Sequence, residues 1–337
     1  MSQSTSLAEI QTQLQTILTQ LSQMDVEVEM EVPLTETPVQ VVADQVWKYL
    51  DFKKWKDQGA DPNQALRVKE LILSNKNLTV LPSEIVYFKQ LHRLDLYTNQ
   101  LTSLPDNLPK QIEKLYCNQN QLTSLPDHLP ENLLELHCYQ NQLTSLPDNL
   151  PEQLEVLYCG YNKLTNLPDH LPVHLRELCC YQNQLTNLPN HLPEHLKVLY
   201  CWGNQLTNLP DHLPVQLREL SCRVNQLTNL PDHLPEHLEV LSCGHNQLRN
   251  LPPNLSQLQH LQYIYLKGNP LKTIPTGLTC QIDPEEFRRL PSILPEDLIQ
   301  TVNNLSQKMD QLAQTVTQMQ EQLKSIREGE DFTLVSG

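Results

Sequence analysis

Glycine is scarce here, cations are outnumbered, and no long apolar run exists; each shortage excludes a class of protein. Only 8 of the 337 residues are glycine, and the 25 prolines recur at fixed places, so the chain is not a disordered low-complexity polymer. Its 24 Lys and Arg face 39 Asp and Glu, a formal charge of -15 that repels a duplex phosphate backbone, and no nucleic-acid partner is expected. No apolar stretch approaches the roughly 20 residues needed to cross a bilayer, so no membrane span is expected. The start, MSQSTSLAEIQTQLQ, lacks the basic and apolar segments of a secretory signal peptide.

What the chain does contain is repetition, and at this length a repeat must be sought before domains are counted. Aligned on LYCNQNQL, its centre follows a 21-residue unit, L-x-C-x-x-N-x-L-T-x-L-P-D-x-L-P-x-x-L-x-x. The asparagine falls at Asn99, Asn120, Asn141, Asn162, Asn183, Asn204, Asn225 and Asn246, and then at Asn269 after a 23-residue unit. A degenerate earlier copy, LILSNKNLTVLP, carries Lys76 in that place. Ten strand starts follow: Leu71, Leu94, Leu115, Leu136, Leu157, Leu178, Leu199, Leu220, Leu241 and Ile264.

This pattern resembles the leucine-rich repeat family. The resemblance implies an α/β fold in which each repeat gives a short strand to a curved parallel β-sheet, with an irregular, polyproline-like convex side. One repeat cannot bury its own leucines, so the array, 68–276, needs capping units. An N-terminal cap is expected over 44–67, where Val46, Trp47, Leu50 and Trp55 have helical spacing that ends near Gly59, and a C-terminal cap over 277–295. Heptad patterns mark terminal coiled-coil helices over 1–25 (Leu7, Ile10, Leu14, Ile17, Leu21, Met24) and 296–328 (Val302, Leu305, Met309, Leu312, Val316, Met319, Leu323, Ile326). Residues 26–43 read as an acidic linker, and 329–337 as a tail. Homo-oligomerisation through the heptad helices is the expectation.

Seven cysteines, Cys117, Cys138, Cys159, Cys180, Cys201, Cys222 and Cys243, share the third strand position, where the end units carry Leu73, Leu96 and Leu266. Strand alternation points that position inward, where a free thiol packs as a small hydrophobe. Equivalent parallel strands aim their Cβ atoms the same way, which disfavours disulfides. One thiol per 21 residues also lacks the paired short spacing of a zinc site. No metal or cofactor is expected, and unpaired thiols point to a reducing compartment, the cytoplasm. Cys179, one position earlier, is expected to face outward and to be the most reactive thiol on the concave face; Cys280 lies in the C-terminal flank. Neither has a base or cation at hand, so no enzymatic activity is expected.

The outward concave positions collect nine of the eleven tyrosines: Tyr97, Tyr116, Tyr139, Tyr158, Tyr161, Tyr181, Tyr200, Tyr263 and Tyr265. Trp202, His137 and Arg223 join them. Tyrosine, tryptophan and arginine dominate binding hot spots, so this face is the candidate site for a protein or peptide ligand. Strand propensity and ring-on-ring packing are the structural alternative. On the convex side, His128, His170, His191, His212 and His233 share one repeat position, and His174, His195 and His237 follow three of them by four; prolines between them disrupt helical ligand spacing, and they read as solvated turn residues.

The two-proline form LPDNLPEQLEVLYCGYNKLTNLP is similar to the bacterial LPX class of leucine-rich repeat, found in type III secreted effectors. That resemblance implies protein recognition inside a host cell, reached by a route independent of a signal peptide. The Ser-, Gln- and Thr-rich N-terminus fits such export and fits an ordinary cytosolic tail equally well. The ubiquitin-ligase domain of one effector family is not implied, because its Cys-x-Asp motif is replaced by CQID at Cys280 and only 57 residues follow that cysteine. Two other readings remain at this point, a thiol-dependent enzyme and a spacer whose coiled coil carries the function.

Overall fold

The computed structural model describes residues 46–273, residue 278, and the backbone of 281–282. The heptad segments, the acidic linker, the tail and nearly all of the C-terminal cap lie outside the described residues.

Twelve strands form one parallel sheet in sequential order. They are β1 Val46–Lys48, β2 Glu70–Ile72, β3 Arg93–Asp95, β4 Lys114–Tyr116, β5 Glu135–His137, β6 Val156–Tyr158, β7 Glu177–Cys179, β8 Val198–Tyr200, β9 Glu219–Ser221, β10 Val240–Ser242, β11 Tyr263–Tyr265 and β12 Gln281–Ile282. Each expected strand start sits at the centre of a strand from β2 to β11, and those leucines, with Ile264, pair in register from rung to rung. A rung is short because its chain must turn toward the convex side within one repeat, yet its ladder does not stop where the strand does. Cys117 donates its amide to the His137 carbonyl, and Gln119 donates to Tyr139, both at 2.9 Å.

At that fifth position, one residue before the repeat asparagine, φ turns positive in every rung from β2 to β11, including Gln119, Gln140, Tyr161, Gln182, Gly203, Val224 and His245. The turn throws the asparagine inward. In the central rungs its side chain closes the corner: the Asn162 amide donates to the Cys138 and Cys159 carbonyls at 3.1 Å, and its oxygen accepts from Leu143 N–H at 2.9 Å. An orphaned buried amide costs about 1–3 kcal/mol, which explains why asparagine, acceptor and double donor in one short side chain, recurs there.

The core is a set of columns. Leucines at the strand centre, the seven third-position cysteines and the leucines of the returning segment are buried from one end to the other. On the return the prolines leave no amide to orphan, and Leu133, Leu154 and Leu175 close tight turns by donating to the carbonyls of Pro130, Pro151 and Pro172. Two 3-10 turns, Ser83–Tyr87 and Pro253–Gln257, occupy the two 23-residue units, which use their extra length there.

The N-terminal end departs from the helical reading of Val46 and Trp47. Both lie in β1, paired with β2, and helix α1 (Tyr49–Asp57) begins only afterwards. Val46 and Leu50 are exposed, whereas Phe52 and Trp55 are buried against Phe88. A short apolar run has no period of its own, and the sheet edge captured this one because its backbone amides needed partners. Beyond α1, Gly59 takes a positive φ and Asp61 caps the short helix α2 (Pro62–Ala65) through Asn63 N–H.

Candidate functional site

The concave face holds two aromatic columns that differ in what they leave open. The inner one occupies the strand position after the core leucine. Tyr116 meets His137 edge-on at 4.7 Å, and His137 stacks on Tyr158 at 4.5 Å. Cys179 and Tyr200 continue the column, and Ser221 and Ser242 end it. The tyrosine hydroxyls are tied to the next rung: Tyr116 donates to Glu135 at 2.8 Å, Tyr158 to Glu177 and Tyr200 to Glu219. Those glutamates were not among the expected site residues. Their signal was present in the alternation KLY, ELH, VLY, ELC, VLY, ELS, a 42-residue super-repeat that puts a carboxylate one rung after a phenol.

This column is a satellite core. Its Tyr158 and Tyr200 are only 6% and 7% exposed and, with Val198 and with Tyr139 (7% exposed) from the fourth strand position, pack around Cys179. The expectation of an outward, reactive Cys179 is therefore corrected. Its direction is outward but its exposure is 4%, because the Tyr158 and Tyr200 rings close over it from both neighbouring rungs. Burial, reinforced by Cys180 and Glu177, pushes its thiol well up, away from the thiolate that a nucleophile needs.

Electrostatics agree with that packing. Burial pushes the His137 imidazole down to about 4, Lys114 and Arg93 push the same way, and Glu135 opposes them. Burial alone would push Glu135 up, but the Lys114 ion pair at 2.8 Å and the Tyr116 hydroxyl hold it below the usual carboxylate range. Glu219, with no such cation, is pushed up by burial despite the Tyr200 hydrogen bond. Tyr139 rises to about 12 through burial, with Tyr97 and Asp95 adding to it.

The outer column stands where the strands turn, and it is open. Tyr181 lies parallel to Trp202 at 4.7 Å, Tyr161 meets Tyr181 edge-on at 5.4 Å, and the Arg223 guanidinium lies 4.7 Å over Trp202. At its rim Tyr161 is 44% and Val224 47% exposed. Tyr97 is also exposed but five rungs from Trp202, and Arg93 covers Tyr116 there at 5.0 Å. Tyr263 and Tyr265 are half-buried on β11, separated from Tyr200 by the two serine rungs. The expected belt is thus one buried column, one exposed cluster over rungs 6 to 9, and outlying tyrosines at both ends.

Elsewhere, the convex histidines are exposed; His170, His174, His191 and His195 line one shallow depression. Among the described residues no group of three or more His, Cys, Asp or Glu is placed to hold a metal ion, and no helix is long and apolar enough to cross a membrane.

Comparison with known proteins agrees with this architecture. The family model "Leucine Rich repeats (2 copies)" matches residues 236–280. No curated protein matches the chain. Among solved structures, the functional domain of InlJ from Listeria monocytogenes, described as including a cysteine ladder, aligns with a TM-score of 0.58 at 29% identity over 64% of this chain and 47% of that one. The leucine-rich effector YopM of Yersinia pestis aligns at 0.50 and 30% identity, over 63% of this chain and 64% of that one. A complex of Latrophilin 3, Unc5D and FLRT2, the last contributing its leucine-rich repeats, aligns at 0.55 and 28% identity over 63% of this chain and 71% of that one. The chain spans less than two thirds of the InlJ and YopM structures it matches. The fold is a leucine-rich repeat solenoid, an architecture that commonly mediates protein–protein interaction.

Proposed function

We propose that this protein is a non-catalytic interaction scaffold that binds a protein partner on its concave face, through the outer aromatic cluster. The observation that carries this reading is the Tyr161–Tyr181–Trp202–Arg223 assembly. Its residue types are those that dominate hot spots, and its rings are already stacked, so little side-chain freedom remains to be lost on binding. Tyr161 and Val224 offer the apolar contact, while Tyr139, Tyr158 and Tyr200 support the surface from below. Catalysis by Cys179 is disfavoured by its burial and raised thiol.

The heptad segments 1–25 and 296–328 would bring copies together and add avidity without new contacts. The YopM likeness supports action inside a host cell as a secreted effector, with the cytoplasm as the site of action.

The test is affinity capture with the full chain beside a Tyr161→Ala, Trp202→Ala double variant of verified fold. Tyr158 is unsuitable because its removal would open the satellite core. A partner lost with the double variant supports the concave cluster. A partner retained there but lost on deleting 296–337 would overturn it and make the solenoid a spacer.

A further inference from the structure

The solenoid is acidic overall, but one of its long edges contains no acid. From the fourth strand position through the tenth, each rung runs over the outer aromatic column and down the side of the sheet. These segments are 74–80, 97–103, 118–124, 139–145, 160–166, 181–187, 202–208, 223–229, 244–250 and 267–273, and none contains an aspartate or glutamate, although the chain has 39. They do contain Lys76, Lys163, Arg223, Arg249, Lys267 and Lys272. The segments make one continuous surface, because the ladder runs on through them: Tyr161 donates to Tyr181, Gln182 to Trp202, Val224 to Gly244, and beyond the turn Gln184 donates back to Leu164.

The opposite edge of the same sheet differs. There Glu113, Glu155 and Glu239 precede their strands and Glu135, Glu177 and Glu219 begin theirs, with Glu135, Glu155 and Glu239 in ion pairs with Lys114, Arg176 and Arg218. The concave face is therefore divided lengthwise, carboxylates with their partner cations along one border and segments that carry cations but no aspartate or glutamate along the other. The exposed rim residues Tyr161 and Val224 lie on the acid-free side, with Lys163 and Arg223 beside them in sequence and Arg249, Lys267 and Lys272 within the next two rungs.

We infer that the partner is an acidic polypeptide segment carrying at least one large apolar side chain, docked along this acid-free edge over rungs 6 to 11. This deepens the proposed function and rests on it. Charge complementarity decides the class: these segments offer Lys163, Arg249, Lys267 and Lys272 and no aspartate or glutamate, so a basic segment would meet like charge on this edge, whereas an acidic one finds opposite charge at the rim at short range. The amide and hydroxyl side chains between the cations, Gln182, Asn187, Gln205 and Thr207 among them, can meet carboxylates and backbone alike.

The experiment is selection of random peptides displayed on phage against the full chain, with selected peptides then measured against three variants. Lys163→Glu and Lys267→Glu alter exposed side chains and should leave the fold intact, checked by thermal melting; Tyr161→Ala tests the apolar rim. The expected outcome is peptides of net negative charge whose affinity falls at least tenfold in the combined Lys163→Glu, Lys267→Glu variant and weakens as salt is raised. Neutral or basic peptides, or affinities unmoved by the two glutamates, would overturn the inference. Neutral peptides lost with Tyr161→Ala would overturn only the acidic class, while peptides indifferent to Tyr161→Ala as well would overturn the concave-face reading itself. A single-stranded oligonucleotide or phosphatidylserine vesicles binding with the same dependence on Lys163 and Lys267 would also overturn it, by making the edge a general polyanion surface.

Discussion

Tyr181 lies flat against Trp202, ring centroids 4.7 Å apart and planes within 1°, and its edge fills the space where Gly160 has no side chain. A Cβ on Gly160 would stand 2.7 Å from Tyr181 Cε2. Glycine at this position is thus a packing requirement, since its backbone is not left-handed; it lets an aromatic from the next rung lie down.

Gly160→Ala should accordingly lift Tyr181 and break its stack on Trp202. The expected result is a changed tryptophan emission spectrum and a loss of about 1–3 kcal/mol in denaturant unfolding, the usual cost of overpacking. An unchanged emission spectrum would show that the ring moves aside freely. Tyr181→Ala in the same background should recover much of the stability, because it removes the atom that clashes.

The thiols give a second test. Burial pushes Cys117, Cys180 and Cys243 up to about 12, and Cys138, Cys159, Cys179, Cys201 and Cys222 are raised by the same cause. All eight should resist iodoacetamide at pH 8 in the native chain and react together once it unfolds, read peptide by peptide by mass spectrometry. Selective native labelling of Cys179 would restore the reading of it as an exposed nucleophile.

Cys179 also shows where sequence stopped being legible. The rungs and the cysteine column follow from one repeat whose leucines and asparagine leave a single register, so their placement could be read directly. Alternation likewise gave the direction of Cys179 correctly. Its burial depended on the rings of Tyr158 and Tyr200, 21 residues away on either side, and strand direction says nothing of what neighbouring rungs lay across an outward side chain. The tyrosines failed the same test in reverse: one aromatic count covered both the buried rings of Tyr139, Tyr158 and Tyr200 and the exposed ring of Tyr161 at the turn. Val46 and Trp47 were illegible for a third reason, since three residues are too few to separate a strand from the first turn of a helix.

His137 makes the fold sensitive to acid. Its folded value is depressed to about 4 against about 6.5 when unfolded, so between these limits only the unfolded chain takes up the proton. Stability from this group is unchanged above pH 7 and falls as pH drops through 6.5 toward 4. The two values imply a loss of about 2 kcal/mol between pH 7.5 and 5. His137→Phe, which keeps a ring between Tyr116 and Tyr158, should flatten that part of the pH profile of urea unfolding. A profile unaltered by the substitution would mean that His137 protonates in place.

Val224 tests the turn at the fifth strand position. It holds φ at +52°, a region that costs a side chain about 1–2 kcal/mol and a β-branched one more. Gly203, in the preceding rung, and Gly268, two rungs on, occupy the same position without that cost. Val224→Gly should therefore stabilise the chain by about 1 kcal/mol, part of the relief being lost to the greater freedom of glycine in the unfolded state. The same substitution removes an exposed apolar side chain from the acid-free rim, so partner affinity should fall while stability rises. Two effects of opposite sign from one residue cannot both come from damage to the fold: a variant that bound less because it was misfolded would melt earlier. If Val224→Gly melts later and binds as well as the parent chain, the rim does not extend to this rung, and the strained valine would then have no account in partner binding.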